Sequence, residues 1–337
     1  MREETKILID CIFWRRDFMQ SIRPLKPVEQ KLLRLLLQDS SRPTSELGDQ
    51  LGKGRNWVAR RIKKLVKQRI LRAYITVLDP TKVYAESSTI LLLKSNPREQ
   101  DISRLLLQMP ELESLDGISG EHSLLGLFRF RQAGAFSDFL DRVDEIVSRS
   151  EAKTYNLVQV LTTYKTHGFK LDVDDTPITP LTAKEWDLLN VIHRQQPTER
   201  RPSSLSQREI GEKMSPKISQ PSVSKTIADL SSKGVIIGQS IDLNFGHVGL
   251  PIKFFLQIKP LPGKIGETAE YISEMEEVWD LHRTGEEYCL FATVRTASVD
   301  EYNKFLRTLY QNEDVLDTKS QISLEEWFVP AARVPST

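Results

Sequence analysis

The sequence has 337 residues, of which 39% are hydrophobic, and 47 lysines and arginines against 46 acids leave a formal net charge of only +1. A chain of this length favours two or more domains with packed cores. No apolar run approaches the roughly 20 residues that a membrane span needs, and the first residues do not resemble a secretory signal. We therefore expect a cytoplasmic protein that does not contact a membrane.

The residues that most often mark catalysis or metal binding are few and scattered. Cys11 and Cys289 lie far apart, and the five histidines show no metal-ligand spacing. Two distant cysteines fit a reducing compartment better than a disulfide framework, and neither a P-loop nor a dinucleotide-binding fingerprint occurs. The sequence predicts no metal, no cofactor and no enzyme.

The chain begins with helical patterns. Residues 1–24 carry apolar side chains at helical spacing, which predicts an extra packing or dimerisation helix. Three short amphipathic helices are predicted next, at 27–38, 44–51 and 54–68, and a β-branched strand follows them. Three helices with a short turn before the third are typical of a winged helix-turn-helix, so we assign residues 25–84 to one.

The third of these helices lies in an unusual run of positive charge. Residues 53–72 contain nine lysines and arginines and no acid. On a helix, Val58, Ile62 and Leu65 share one face, and the cations occupy the opposite face. A solvated surface normally mixes both signs. Two specific interpretations remain, a helix on anionic lipid and a helix that meets nucleic-acid phosphates.

Residues 85–175 alternate strand and helix. The strand STILLLK comes first, then a helix around residues 102–109, two strands around the glycine turn at Gly120, a helix over residues 136–147 and a last strand from residue 154. The order β-α-β-β-α-β predicts a ferredoxin-like sheet with helices on one face.

The second half of the chain repeats this order. Helices are predicted at 182–194, 206–214 and 220–233, and a second β-α-β-β-α-β series follows. Val58 aligns with Val223, and Gly120 aligns with Gly285. A shared register of this kind indicates duplication. We predict an α+β fold with two winged helix-turn-helix units, at 25–84 and 176–250, each followed by a ferredoxin-like domain, at 85–175 and 251–337.

Charge alternates along these segments. Residues 25–84 carry 14 basic and 5 acidic side chains, whereas residues 181–250 carry 9 and 7. The ferredoxin-like segments are acidic, with 10 basic and 15 acidic residues in 85–175 and 9 and 15 in 251–337. Acidic domains would be repelled by anionic lipid and should stay away from DNA. The pattern favours nucleic acid as the partner of the basic helix.

With this order of domains, the chain resembles the Lrp/AsnC family of bacterial and archaeal transcription regulators, here as a tandem fusion. Its helix-turn-helix motif, E-x-x-L-L…L-G…V-x-x-R-I-x-x-L-x-x-x-x-I, runs from Glu29 to Ile70, and its glycine turn occurs as GEHS (120–123) and GEEY (285–288). There are departures. Gly54 stands where a Ser-type cap is usual, so the start of the third helix is expected to be looser. Arg69 stands where the second copy has Gly234, which predicts either an unfavourable backbone conformation at Arg69 or a less regular helix end.

The resemblance implies double-stranded DNA as the partner. It places the third helix in the major groove, where its first residues reach base edges. The residues that this implies for base reading are Arg55, Asn56, Trp57 and Arg60, and those for phosphate contacts are Arg61, Lys63, Lys64 and Lys67. Trp57 has an equally good alternative role in the core. The corresponding set in the second unit is Ser219, Gln220, Ser222, Ser224 and Lys225.

The resemblance also implies that sensor sheets pair face to face, between chains in a homo-oligomer or within one chain as a pseudo-dimer, and that an amino acid or similar effector binds near the glycine turns. The residues concerned are Gly120, Glu121, His122 and Ser123 in one copy and Gly285, Glu286, Glu287 and Tyr288 in the other. The simpler interpretation is that the two glycines only permit tight strand turns.

A second resemblance implies a different class of function. Siroheme decarboxylases resemble the same two-domain unit and use histidines of the second domain. His122 and His282 lie near the glycine turns, although at different places relative to Gly120 and Gly285. Such an enzyme would have no need of a strongly basic helix-turn-helix, so this remains the alternative interpretation.

Overall fold

The computed structural model describes residues 25–84, 88–96, 100–130, 134–149, 151, 154–172 and 180–329. The predicted helix within residues 1–24 lies outside the described residues. Among the described residues no helix is both long and apolar enough to cross a membrane.

The first half of the chain contains the predicted helices and strands in the predicted order. They are α1 (Pro27–Gln38), α2 (Thr44–Leu51), α3 (Arg55–Lys67), β1 (Leu71–Leu78), α4 (Pro80–Val83), β2 (Thr89–Lys94), α5 (Gln100–Leu107), β3 (Leu112–Ile118), β4 (Leu124–Phe128), α6 (Ala135–Ser148), β5 (Thr154–Thr166) and β6 (Phe169–Lys170).

The second half follows the same order. It contains α7 (Ala183–Ile192), β7 (Arg194–Gln195), α8 (Gln207–Lys213), α9 (Gln220–Ser232), β8 (Ile236–Leu243), a 3₁₀ turn (Phe245–Val248), β9 (Ile252–Pro260), α10 (Ile265–Ser273), β10 (Val278–Thr284), β11 (Leu290–Thr296), α11 (Val299–Leu309) and β12 (Val315–Trp327). All six helices predicted in the two helix-turn-helix units are confirmed to within two residues at each end.

Local signals explain several helix ends. Ser206 and Glu209 form a capping box at the start of α8. After α3 the backbone of Arg69 has φ +55°, and after α9 that of Gly234 has φ +65°. Of the two alternatives at Arg69, the unfavourable conformation is confirmed, because a side chain there occupies a left-handed position that glycine adopts at no steric cost.

The two helix-turn-helix units are joined through their wings. Strands β1 and β8 pair antiparallel with Tyr74 opposite Ile241, and β7 completes a three-stranded sheet. Each unit also uses the other unit's wing in its core. The core around α1 to α3 includes Leu243 and Val248, and the core around α7 to α9 includes Leu78 and Val83. The two units therefore form one body.

The ferredoxin-like halves are joined as well. Strand order within one half is β3-β4-β2-β5, and within the other it is β10-β11-β9-β12. The pairings β12–β3 and β5–β10 connect the two halves at both edges. The eight strands consequently form a sheet that closes on itself within one chain.

Alternation along the strands separates two faces of this closed sheet. Leu91 and Leu93 of β2 pack under helices α5 and α6 on the outside. Ile90 and Leu92, on the opposite face of the same strand, join Phe255, Phe291 and apolar residues of both halves in an interior cluster. The closed sheet thus has its own core, separate from the helix-covered outer layers.

Candidate functional site

The position of α3 is fixed by a close backbone approach at the turn that precedes it. A Cβ on Gly48 would lie 2.5 Å from the carbonyl oxygen of Lys53, and one on Gly211 would lie 2.3 Å from that of Ile218. In both units the same bond closes the turn, with Lys53 N–H donating to Gly48 O at 2.8 Å and Ile218 N–H donating to Gly211 O at 3.1 Å. Glycine is required there because the two segments touch.

The outer face of α3 is a cationic surface. Arg55, Asn56, Arg60, Lys63 and Lys64 are exposed. Arg60 Nε donates to the carbonyl oxygen of Asn56 on its own helix. The helix contains no acid, and the core face that holds it in place is Val58, Ile62, Leu65 and Val66. This leaves a row of cations directed at solvent and able to meet phosphates.

Three of the predicted contact residues have partners within the protein. Arg61 forms an ion pair with the buried Glu29 of α1, and its guanidinium lies 5.9 Å from the ring centre of Trp57. Trp57 is half-buried against the core of the first unit. Lys67 is 3.7 Å from Glu199 of the second unit, and both side chains are well exposed. Arg61 and Trp57 therefore support the helix rather than extend from its outer face.

The corresponding helix of the second unit, α9, offers mainly uncharged groups. Ser219, Gln220, Ser224 and Lys225 are exposed. Ser222 is half-buried and accepts a hydrogen bond from Lys184 at 2.8 Å. Hydroxyl and amide groups can read base edges, but they neutralise no phosphates.

The first glycine turn is ordered by hydrogen bonds within the protein. Gly120 has φ +113°, a conformation that favours glycine. The Ser123 hydroxyl lies 2.9 Å from that of Ser95 and within reach of the carbonyl oxygens of Leu93 and Ser95. Glu121 is exposed and His122 is half-buried. The Ser123 hydroxyl is thus already engaged.

The second turn differs. Gly285 is not in the left-handed region, and Glu286 beside it is exposed. Glu287 pairs with Lys259 at 2.6 Å, and the Tyr288 hydroxyl donates to Asp317 at 2.5 Å. The side chains at this turn bind neighbouring strands instead of converging on an open space.

A cavity of about 140 Å³ lies elsewhere, between the wing sheet and one end of the closed sheet. None of the predicted effector residues lines it. Its charged lining comes from both parts of the molecule: Arg72, Arg194 and Asp242 from the wings, and Glu113, Arg129, Lys253, Asp280, Arg295 and Glu326 from the closed sheet. We call it the central cavity.

On one side of the central cavity the charges form a buried network. Lys253 Nζ lies 2.8 Å from Asp116 and 3.2 Å from Glu326, and Glu326 also pairs with Arg295. Burial acts to raise the pKa of Asp116, and Lys253 acts against it without bringing the pKa back to its usual value. Burial alone would lower the Lys253 pKa, but the two carboxylates raise it. The positive charge of Lys253 therefore offsets the free-energy cost of burying the two carboxylates.

On the other side of the cavity, Arg129 Nε lies 3.9 Å from Oε2 of Glu113. Burial alone would raise the Glu113 pKa, but Arg129, His193, His167 and Arg194 together outweigh it and bring the pKa to about 2. Glu113 is ionised at neutral pH as a result.

Of the two histidines that the sequence suggested for the enzyme alternative, His122 and His282, only His282 lines the central cavity. His282 lines the central cavity with its Nδ1 3.0 Å from the Thr163 hydroxyl, and burial lowers its pKa to about 4. His167 is the other histidine in the lining, whereas His122 lies at the first glycine turn. His282 is neutral at pH 7.

Sequence reasoning missed the central cavity, although a signal was present. Lys253, Arg295 and Arg129 interrupt or end the apolar strands IKFFLQIK, LFATVRT and LLGLFRF. Charged residues on the inward face of an apolar strand are rarely buried unless they are paired with opposite charges, because burying an unpaired charge costs free energy. Finding the site would have required knowing that the two sheets close on each other.

The close turn before α3 gives a testable prediction. Gly48→Ala should destabilise the protein by about 1 to 3 kcal/mol, because the new methyl group would overlap a backbone carbonyl. Gly54 is the control: it caps α3 with φ −71° and has open space around it, so Gly54→Ala should change stability by less than about 1 kcal/mol. Thermal denaturation measures both, and equal melting temperatures would contradict the close packing.

Comparisons with known proteins agree with the first resemblance. Residues 253–329 match the family described as the Lrp/AsnC ligand binding domain. The chain is 21% identical over 124 residues to the HTH-type transcriptional regulator FL11 of Pyrococcus horikoshii, which covers 36% of this chain and 82% of that protein. It is 29% identical over 99 residues to the HTH-type transcriptional regulator Ptr1 of Methanocaldococcus jannaschii, covering 29% and 66%. The resemblance to Lrp/AsnC regulators is confirmed.

A solved structure is similar in fold to most of the chain. The siroheme decarboxylase NirDL aligns over 89% of this chain and 91% of its own, with a TM-score of 0.58 and 16% identity. At this identity the likeness concerns the fold alone.

Proposed function

We propose that this chain, a relative of the Lrp/AsnC transcription regulators, is a sequence-specific DNA-binding regulator whose main DNA contact is α3. The observation that supports this most strongly is the outer face of α3, where Arg55, Arg60, Lys63 and Lys64 are exposed on a helix that contains no acid. The close glycine turn and the core of the first unit hold that helix in a fixed orientation. Arg55 and Asn56, at its start, would read bases, and Lys63 and Lys64 would contact phosphates.

We further infer that the chain arose by duplication and acts as an intrachain pseudo-dimer. Corresponding bonds support this, since the wing residues Thr76 and Ser240 each donate to a carbonyl oxygen at the end of the other unit's first helix, Ile192 and Leu37 respectively. With exchanged wings, the two recognition helices would act as a pair, as they do in dimeric regulators.

Selection of bound duplexes from a random pool tests the proposed function. We expect enrichment of one motif, because Arg and Asn side chains at the start of α3 discriminate among base edges. Recovery of random sequences only, by a protein that melts cooperatively, would contradict sequence-specific binding.

The two recognition helices should differ in their salt dependence. Each neutralised phosphate contributes about 0.9 to the slope of log affinity against log salt. Changing Arg60, Lys63 and Lys64 to Ala should lower the magnitude of that slope by about 2 to 3, whereas changing Gln220, Ser224 and Lys225 to Ala should lower it by at most about 1. Fluorescence anisotropy over a series of salt concentrations measures both, and equal losses would show that the two helices contact the backbone alike.

One observation favours a second candidate, an enzyme of tetrapyrrole biosynthesis similar to siroheme decarboxylase. The fold matches NirDL over nearly the whole chain, and the central cavity holds cations together with His167 and His282. A tetrapyrrole is much larger than this cavity, so binding would require the wing sheet to move away. Mixing the protein with siroheme tests this candidate: a shift of the siroheme absorbance bands would support it, and an unchanged spectrum would contradict it.

A further inference from the structure

The central cavity is lined by buried hydrogen-bond donors that have no acceptor within the described residues. The Nε atoms of Arg129, Arg194 and Arg295 are buried and have no hydrogen-bond partner among the described residues. Arg129 and Arg295 are only 7% and 5% exposed. A buried donor without an acceptor costs free energy, and more so when it is charged.

The carboxylates around the cavity lie beside these arginines but do not accept from the three Nε atoms. Glu113 is the carboxylate beside Arg129, and its oxygen lies 3.9 Å from Arg129 Nε, which is beyond hydrogen-bond distance. Glu326 pairs with Lys253 and Arg295. Asp242 pairs with Arg194, and Asp280 accepts a hydrogen bond from the backbone of His167 at 3.0 Å. The missing acceptors must come from water or from a bound molecule.

The unsatisfied donors form two groups. Arg129 directly follows β4 of the first half, and Arg295 lies on β11 of the second half at the corresponding position, since their backbone N–H groups donate to the carbonyl oxygens of Glu111 and Glu277 respectively. Arg194 is placed on the wing side and stacks on Phe328, with its guanidinium 4.9 Å from the ring centre. A molecule that satisfies both groups needs oxyanions at two separated places.

The remainder of the lining is apolar. Leu127, Phe255 and Phe291 contribute the wall inside the closed sheet, and Phe245 with Trp279 contributes aromatic surface beside Arg295. The Arg295 guanidinium lies 3.7 Å from the ring centre of Phe245, so the cation is held in place before any ligand arrives. A ligand with a short carbon body would fit between the charged groups.

We propose that the central cavity binds a compact organic acid with two or more carboxylates, held by Arg129 and Arg295 of the closed sheet and by Arg194 of the wing sheet. A cavity of about 150 Å³ accommodates benzene, so a ligand of about six to ten non-hydrogen atoms fits. Such a ligand contacts both the wing sheet and the closed sheet. This proposal does not depend on DNA binding, because occupancy is measured directly.

The test uses the full chain with succinate, malate and 2-oxoglutarate as probes and acetate as the monocarboxylate comparison. Calorimetric titration and thermal shift should both detect at least one of the three acids, with affinity at least about tenfold above that of acetate. Arg129→Lys retains the charge but loses the planar fork, and Leu127→Phe fills the cavity without altering any charge. Each variant should weaken binding by at least about tenfold.

Arg208→Gln removes an arginine that is 81% exposed on α8 and should leave the affinity unchanged. If one of the two cavity variants fails to fold, the other still tests the proposal, since Arg129→Lys alters a hydrogen-bonding group and Leu127→Phe alters the cavity volume. Failure of all three acids to bind the folded wild-type protein would overturn the proposal and leave the cavity to water. If Arg208→Gln weakened acid binding as much as the cavity variants do, the proposal would also be overturned. Binding of siroheme without binding of any of the three acids would overturn it as well.

Discussion

Reversing the charge of two residues on α3, Arg60→Glu with Lys63→Glu, should abolish binding to the selected DNA. Both side chains are exposed on the cationic face and away from the core. Replacing two attractive phosphate contacts by two repulsive ones should lower affinity by at least about a hundredfold, at about 1.4 kcal/mol or more per residue. A mobility-shift assay measures the loss.

The matched control changes the same number of charges at the same spacing elsewhere. Lys304 and Arg307 lie three residues apart on α11, both exposed on the outside of the closed sheet. Lys304→Glu with Arg307→Glu alters the net charge of the protein equally, so it reveals any effect of overall charge. We expect it to bind DNA within about threefold of wild type. Similar losses in both double variants would show that α3 has no special role.

The local part of the fold could be predicted because its signals are local. Helical spacing of Val58, Ile62 and Leu65, the capping box at Ser206 and the order of strands each depend on a few neighbouring residues. The strained backbone at Arg69 was one of the two alternatives that followed from comparing it with Gly234. The cationic helix was detected from the run of lysines and arginines in residues 53–72, since charge on a helix face is visible in the sequence.

The remainder depends on contacts between distant segments. Arg61 was predicted to contact phosphate because its position on the helix is next to the cationic face, yet the buried carboxylate of Glu29 attracts it inward. The exchange of wings and the closing of the sheet bring together residues such as Arg72, Arg129 and Arg295, which are far apart in the chain. The periodicity of apolar residues does not show which distant residues come into contact. The central cavity could therefore be found only from the three-dimensional structure.

The buried network at Lys253 gives the largest expected effect on stability. Lys253→Met should destabilise the protein by about 3 to 5 kcal/mol, because it leaves the carboxylates of Asp116 and Glu326 without their shared cation. Lys259, on the same strand, pairs with Glu287 at the surface. Lys259→Met should therefore cost less than about 1 kcal/mol. Thermal denaturation at pH 7 compares the two.

The pH dependence of Lys253→Met follows from the sign of the pKa change. Lys253 lowers the pKa of Asp116 against the effect of burial, so its removal must raise that pKa further above the unfolded value. A group whose folded pKa is raised binds its proton more tightly in the folded state, and the stability that this provides is present at low pH and lost as pH rises. The difference between variant and wild type should thus shrink as pH falls from 7 towards 5. Adding Asp116→Asn, which removes the charge without changing the shape, should recover part of the lost stability at pH 7. If Lys253→Met melts like Lys259→Met at every pH, the buried network does not hold the two halves of the closed sheet together.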